Sequence, residues 1–112
     1  MMKKRIESGF LDALATYFHH ATLGLGPELE TYQNVSWGEY QKDKALATMV
    51  YLNEVLAADE LVAGTSFSMA DITAIAALNF ADALDLSPAV HLEHLHPWRG
   101  RMSERDFVKG AA

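Results

Sequence analysis

The sequence predicts an all-helical domain of about five helices packed around one buried central helix. Three observations favour this class. Half of the 112 residues are hydrophobic, apolar residues recur at the three- and four-residue spacing of helices, and no segment shows the alternation of a strand. The stretch 67–83 is apolar nearly all round, which is typical of a helix enclosed by other helices. We assign residues 1–112 to one domain, because a chain of this length can build one core.

The first predicted helix covers about residues 2–21, where Ile6, Phe10 and Leu14 recur at four-residue spacing. No capping residue precedes it. The basic run 3–5 occupies the end at which the helix dipole disfavours cations. We therefore expect this helix to begin further upstream in a longer chain. The alternative is a short helix that frays at a natural N-terminus.

A loop and a second long helix follow. Residues 22–35 contain two glycines and a proline, which indicates a loop. Ser36 is predicted to cap the second helix, with Glu39 completing a capping box three residues later. That helix should end near Ala58.

The central helix carries its own start signal. Ser68 is predicted as its N-cap and Asp71, three residues later, as the partner in a capping box. Phe67 and Ile72 occupy the two positions of a hydrophobic staple. The Asp71 carboxylate also lies at the positive end of the helix dipole. Both residues are interpreted as folding residues.

Beyond Asp85 the sequence predicts two short helices. Ser87 followed by Pro88 indicates a cap with proline at the first helical position, and Pro97 indicates a second start. Trp98 follows it, and we interpret this side chain as a core anchor.

Charge and composition exclude several classes of function. The formal net charge is −6, and residues 45–98 contain seven acids and no Lys or Arg, so that a polyanion would be repelled. We expect no nucleic-acid partner. No apolar run approaches the roughly 18 uncharged residues of a membrane span, and no signal-peptide pattern opens the sequence. We expect no membrane partner and a cytoplasmic location. The chain has no cysteine, hence no disulfide or cysteine nucleophile.

The histidines give no clear metal or catalytic pattern. His91 and His94 fit one helical face, but His96 does not. We favour a solvated cluster and expect no metal site. His19 and His20 are adjacent and would point to different sides of a helix. No serine lies in a nucleophile-elbow context, and no histidine–acid spacing is distinctive. We therefore predict no catalytic residue within this chain.

Three segments together resemble one family. Residues 62–72, Val-Ala-Gly-Thr-Ser-Phe-Ser-Met-Ala-Asp-Ile, resemble the vaGdxfSiADi segment that opens the central C-terminal helix of cytosolic glutathione transferases. Residues 4–7 resemble the RRiE pattern of the same domain's first helix. Leu92, Leu95 and Trp98, followed by Arg101, Met102 and Arg105, resemble its closing LxxWxxRMxxRP, with Asp106 in place of the final proline.

The resemblance implies a glutathione transferase C-terminal-like helical bundle. In that family the C-terminal domain supplies the hydrophobic electrophile pocket, largely from its first helix. Carried onto this sequence, the pocket candidates are Glu7, Phe10, Leu11, Leu14 and Phe18. For Phe10 and Leu14 a pure core role is an equal alternative. Glutathione itself, the co-substrate, binds in the family to an N-terminal thioredoxin-like domain, which also carries the catalytic residue.

The resemblance also implies a role and partners. The full-length form would conjugate glutathione to hydrophobic electrophiles, a detoxification reaction. The chain alone, without a thioredoxin-like domain, is expected to be inactive. We expect a homodimer through the first two helices. The alternative is a non-catalytic assembly module, because similar domains hold partners together in translation-factor and aminoacyl-tRNA synthetase complexes.

Overall fold

The computed structural model describes residues 2–63 and 67–104, and every regular element in these ranges is helical. The predicted all-α class is confirmed. The parts of the sequence resemblance that rest on residues 64–66, Arg105 and Asp106 lie outside the described residues. The elements are α1 (Met2–Ile6), a π-helical segment (Glu7–Leu11), α2 (Asp12–Ala21), α3 (Val35–Ala58), α4 (Met69–Ala83) and α5 (Leu95–Ser103). The first three are continuous, and we call them the first helix.

The central position of α4 is confirmed by its burial. Small side chains along it let the first helix approach closely, and the first helix packs against it over α1 and the π-helical segment. The large side chains that fill the remaining space come from every other helix. The buried apolar side chains with 0% exposure are those of Ile6, Phe10, Leu14, Ala45, Leu52, Val62, Ala74, Ala77, Leu78, Ala81, Leu95 and Trp98. Trp98 is therefore a core anchor, as predicted.

The capping box at the start of α4 is present. The Ser68 hydroxyl accepts a hydrogen bond from the Ala70 N–H at 3.2 Å. The Asp71 carboxylate accepts one from the Ser68 N–H at 3.1 Å. Its other oxygen accepts a bond that the sequence did not predict, from the Val62 N–H at 3.0 Å. Asp71 is fully buried, so one carboxylate joins the preceding connector to the central helix.

The predicted cap of α3 is wrong by two residues. The N-cap is Asn34, whose side-chain oxygen accepts a hydrogen bond from the Trp37 N–H at 3.0 Å. Ser36 lies inside the first turn. Glu39 pairs instead with Lys42, 2.6 Å away on the same helix. Both Asn34 and Ser36 are residue types that cap helices, and the side-chain geometry decides between them.

The short helix predicted at Ser87 and Pro88 is not formed; residues 84–94 contain turns and irregular backbone and no helix. The Ser87 hydroxyl donates instead to the Asp82 carboxylate at 2.8 Å. The Arg99 guanidinium, 2.6 Å from the same carboxylate, is the main cause that lowers the pKa of Asp82. This network ties the end of α4 to α5.

The last helix begins at Leu95, two residues before the predicted start at Pro97. Its cap comes from another helix. The side-chain oxygen of Asn53, on α3, accepts hydrogen bonds from the His94 N–H at 2.8 Å and the Leu95 N–H at 2.9 Å. Because a residue 41 positions away provides this cap, the local sequence around Pro97 does not reveal it.

The first helix has a wide turn at Glu7–Leu11, where the Asp12 N–H donates to the Glu7 carbonyl five residues back. Such a turn displaces carbonyl groups from the regular helical pattern. The Thr48 hydroxyl on α3 lies 2.9 Å from the Gly9 carbonyl and donates to it. The segment also shifts the angular register of the first helix between Glu7 and Leu11, which bears directly on the predicted pocket.

Candidate functional site

The five predicted pocket residues do not share one exposed face. Phe10 and Leu14 have 0% exposure and belong to the core. Leu11 and Phe18 are half-buried and keep part of their surface in solvent. The Glu7 carboxylate lies 2.7 Å from the Lys3 ammonium, and both side chains are partly exposed. The π-helical turn contains one residue more than a regular helical turn. Glu7 therefore does not lie at the angular position, relative to the other four candidates, that a regular helix would give it.

What the structure brings together is a smaller apolar surface. Leu11, the last residue of the π-helical segment, and Phe18, on α2, are seven residues apart, about two helical turns, so both lie on the same side of the first helix. The Phe18 ring meets the Phe80 ring of α4 edge to face, with centroids 6.0 Å apart. Leu11 and Phe80 also pack against the core. We call Leu11, Phe18 and Phe80 the aromatic face. Being partly exposed and backed by a packed core, it can contact an apolar ligand.

A polar pair borders the aromatic face. The His19 ring lies against Phe18 with centroids 5.0 Å apart, and its Nδ1 is 2.7 Å from the Glu30 carboxylate. The same carboxylate oxygen accepts from the Leu25 N–H at 2.9 Å. The hydrogen bond from the Leu25 N–H is the largest cause that lowers the pKa of Glu30, and the hydrogen bond with His19 is the second. These two hydrogen bonds stabilise the anionic form of the Glu30 carboxylate, which binds both the His19 ring and the backbone of the loop.

This pair has a definite chemical capacity. A carboxylate at Nδ1 requires that nitrogen to carry the proton, so that in neutral His19 the other ring nitrogen, Nε2, is the acceptor. Within residues 2–63 and 67–104, Nε2 has no hydrogen-bond partner. Such a nitrogen can accept a hydrogen bond from a neighbouring ligand. Residue spacing does not predict this pair, because the two residues are eleven positions apart and are joined by a loop.

Two depressions lie elsewhere on the surface. One, of about 300 Å³, runs between the first helix and α3 beside the Arg5 guanidinium, which lies 3.8 Å from the centroid of the Tyr51 ring. The other, of about 440 Å³, lies at the end of α3 beside Arg101. Neither is lined by any of the five predicted pocket residues.

The described residues contain no group of three or more side chains placed to hold a metal ion. The candidates His91, His94 and His96 are therefore not brought together as ligands; the His96 ring nitrogen Nε2 lies 3.0 Å from the Ala89 carbonyl. No helix in the described part of the chain is long and apolar enough to span a membrane.

Comparison with known families identifies the fold. The model of the glutathione S-transferase C-terminal domain matches residues 12–106. The chain belongs to this family. The sequence resemblance to glutathione transferases is thereby confirmed, and the four helices found in residues 2–63 and 67–104, with α4 buried among them, have the fold of a glutathione transferase C-terminal domain.

Individual glutathione transferases are similar over nearly the whole chain. Glutathione S-transferase 2 of Saccharomyces cerevisiae is 53% identical over 109 residues, which are 97% of this chain and 47% of that protein. The crystal structure of Gtt2 from Saccharomyces cerevisiae superposes with a TM-score of 0.97 at 52% identity, covering 100% of this chain and 54% of the other. A glutathione S-transferase domain-containing protein from Marinobacter aquaeolei gives 0.91 at 53% identity, covering 95% and 52%. The chain therefore spans about half the length of these transferases.

Proposed function

We propose that this chain is the electrophile-binding C-terminal half of a glutathione transferase-like protein. The other half would be a thioredoxin-like domain that binds glutathione and activates its thiol. The glutathione sulfur then attacks the electrophilic carbon, a carbon–sulfur bond forms, and any leaving group departs with its bonding electrons. The reaction would serve detoxification of hydrophobic compounds in the cytoplasm.

The observation that supports this role most is the aromatic face. A pocket for apolar electrophiles needs a rigid wall that is apolar and still partly exposed. Leu11, Phe18 and Phe80 are apolar and partly exposed, and Leu11 and Phe80 pack against the core. Of the five residues implied by the sequence resemblance, Leu11 and Phe18 are therefore the proposed contacts. Phe10 and Leu14 support them from the core, and Glu7 is left outside the proposed pocket.

Phe18→Ala in the full-length protein is expected to raise the KM for 1-chloro-2,4-dinitrobenzene about tenfold, because the electrophile loses one apolar contact. The KM for glutathione should stay unchanged, because glutathione binds to the other domain in this proposal. Steady-state kinetics with each substrate varied in turn measures both. Val90→Ala is the matched control, since Val90 is 92% exposed and outside the aromatic face.

Three outcomes of these assays contradict the proposal. An unchanged electrophile KM in Phe18→Ala would remove the aromatic face from the pocket. Turnover by the isolated 112-residue chain, above the glutathione-only background, would show that this half carries a thiol site of its own. A full-length protein without any conjugation activity would favour the non-catalytic assembly module instead.

We also propose a homodimer with two-fold symmetry through the first helix and α3. Several apolar side chains on α3 are exposed in the isolated chain, and such surfaces tend to be covered by a partner. Trp37 is 47% exposed, Tyr40 61% and Val50 44%. Sedimentation equilibrium at high micromolar concentration is expected to give twice the chain mass. A purely monomeric mass at that concentration would contradict it.

A further inference from the structure

The groove between the first helix and α3 carries positive charge that the chain does not neutralise. Two cations, Arg5 and Lys44, line this groove, and no carboxylate does. Among the residues that the structure describes, Arg5 and Lys44 form no ion pair, whereas Lys3, Lys42 and Arg99 each form one. In a chain whose net charge is −6, two unpaired cations in one groove favour an anionic occupant.

The Arg5 side chain is held in this groove by stacking. Its guanidinium carbon lies 3.8 Å from the centroid of the Tyr51 ring, an arrangement that leaves the N–H groups at the edge of the guanidinium free to bind a carboxylate. The Thr48 hydroxyl donates to the Gly9 carbonyl at 2.9 Å and joins α3 to the first helix. Because the two helices are fixed to each other, Arg5 loses little freedom when it binds an anion.

The outer face of α3 offers a carboxylate of its own. Asp43 is exposed and forms no ion pair in the described part of the chain. Tyr40, Asp43, Ala47 and Val50 follow one another at three- and four-residue spacing, so they share one side of the helix. All four are exposed. Asp43 and Tyr51 each lie four residues from Ala47, in opposite directions along the helix.

A two-fold axis that passes through α3 at Ala47 brings the two charges together. Such an axis makes the α3 helices of two copies antiparallel, and it places each residue opposite the one that lies equally far on the other side of Ala47. Asp43 of one copy then lies opposite Tyr51 of the other, on whose ring Arg5 is stacked. The small side chain of Ala47 allows the two helices to approach closely where they cross.

We propose that the groove receives the Asp43 carboxylate of a second copy of this chain, so that Arg5 and Asp43 form two ion pairs across the two-fold axis. This inference rests on the proposed homodimer and specifies which surface of α3 that dimer uses. The pairing is reciprocal, because each copy supplies one cation and one carboxylate. The same contact would cover the exposed side chains of Tyr40 and Val50.

The test measures the dimer dissociation constant of the full-length protein by sedimentation equilibrium at physiological ionic strength. Arg5→Asp and Asp43→Arg each replace two attractive pairs by two like-charge pairs. Each variant should raise the dissociation constant about a hundredfold, which is about tenfold for each symmetry-related pair. An equimolar mixture of the two variants should regain the wild-type constant, because in the mixed dimer each substituted residue meets a partner of opposite charge.

Lys4→Asp is the matched control. It makes the same charge change as Arg5→Asp at a neighbouring exposed residue that does not line the groove. Its dissociation constant should stay within about twofold of the wild type, as expected for a single exposed charge. If Lys4→Asp weakens the dimer as much as Arg5→Asp does, the effect is one of net charge and the proposed pairing is overturned.

The remaining outcomes separate the pairing from the homodimer and from the transferase role. A wild-type protein that stays monomeric at high micromolar concentration would overturn both the homodimer and the pairing. A wild-type dimer that neither variant weakens would overturn the pairing alone. Weakened single variants whose mixture does not recover would show that Arg5 and Asp43 do not meet across the axis, and would also overturn the pairing. Conjugation of 1-chloro-2,4-dinitrobenzene by the wild type, measured on the same samples, tests the transferase role independently.

Discussion

Asp71→Ala is expected to lower the free energy of unfolding by about 3 kcal/mol, because it leaves the buried Val62 N–H and the half-buried Ser68 N–H without their acceptor. The carboxylate accepts from Val62 at 3.0 Å and from Ser68 at 3.1 Å. Val62 and Asp71 both have 0% exposure, so water cannot replace the first of these bonds. The charge at the positive end of the α4 dipole is lost as well. Urea denaturation followed by circular dichroism measures the change.

Two further variants separate the contributions at this position. Asp71→Asn keeps an acceptor oxygen and removes the charge, so it should lose less stability than Asp71→Ala. Ser68→Ala removes only the cap and should cost about 1 kcal/mol. Because both residues serve one capping box, the double variant should cost less than the sum. If Asp71→Ala unfolds at the same urea concentration as the wild type, the hydrogen bond from Val62 to the Asp71 carboxylate contributes nothing to stability.

Phe10→Ala is expected to lower the free energy of unfolding by about 3–5 kcal/mol, the usual range for deleting a buried aromatic ring. Phe10 has 0% exposure and lies in the core cluster between the first helix and α4. The same urea experiment applies. This result would decide between the two roles that the sequence left open for Phe10, pocket residue or core residue.

Phe18→Ala provides the matched control for Phe10→Ala, because it removes the same side chain from a half-buried position on the same helix. Phe18→Ala should lower the free energy of unfolding clearly less than Phe10→Ala does, because folding of the chain buries less of the Phe18 side chain than of the Phe10 side chain. Equal losses for the two variants would contradict the distinction between core and aromatic face. A stable Phe10→Ala protein would return Phe10 to the pocket.

The fold was predictable where the signal is local. The all-apolar stretch of α4 and its Ser68–Asp71 cap depend on residues that are neighbours in sequence, and both are found in the structure. The start of α3 was misplaced because Asn34 and Ser36 are both good caps, and only the side-chain geometry chooses Asn34. The helix predicted at Ser87 failed because its hydroxyl bonds to Asp82 instead.

The candidate site was predictable only in part, for a different physical reason. The pocket candidates assumed a regular first helix, whereas the helix has a π-helical turn at Glu7–Leu11 that changes the register. Leu11 and Phe18 are the apolar candidates that remain partly exposed. The periodicity of apolar residues does not reveal such a turn. In the structure the Gly9 carbonyl of this turn accepts a hydrogen bond from the Thr48 hydroxyl, which lies on α3. The His19–Glu30 pair likewise depends on how the loop folds back, which residue spacing does not encode.

The most direct test of the central claim is a crystal structure of the full-length protein with its conjugate S-(2,4-dinitrophenyl)glutathione. We expect the dinitrophenyl ring to lie within about 4.5 Å of the side chains of Leu11 and Phe18, the distance of apolar contact. The glutathione moiety should lie on the thioredoxin-like domain. A dinitrophenyl ring bound away from both side chains, for example in the groove beside Arg5 and Tyr51, would contradict the assignment of the electrophile site to the aromatic face.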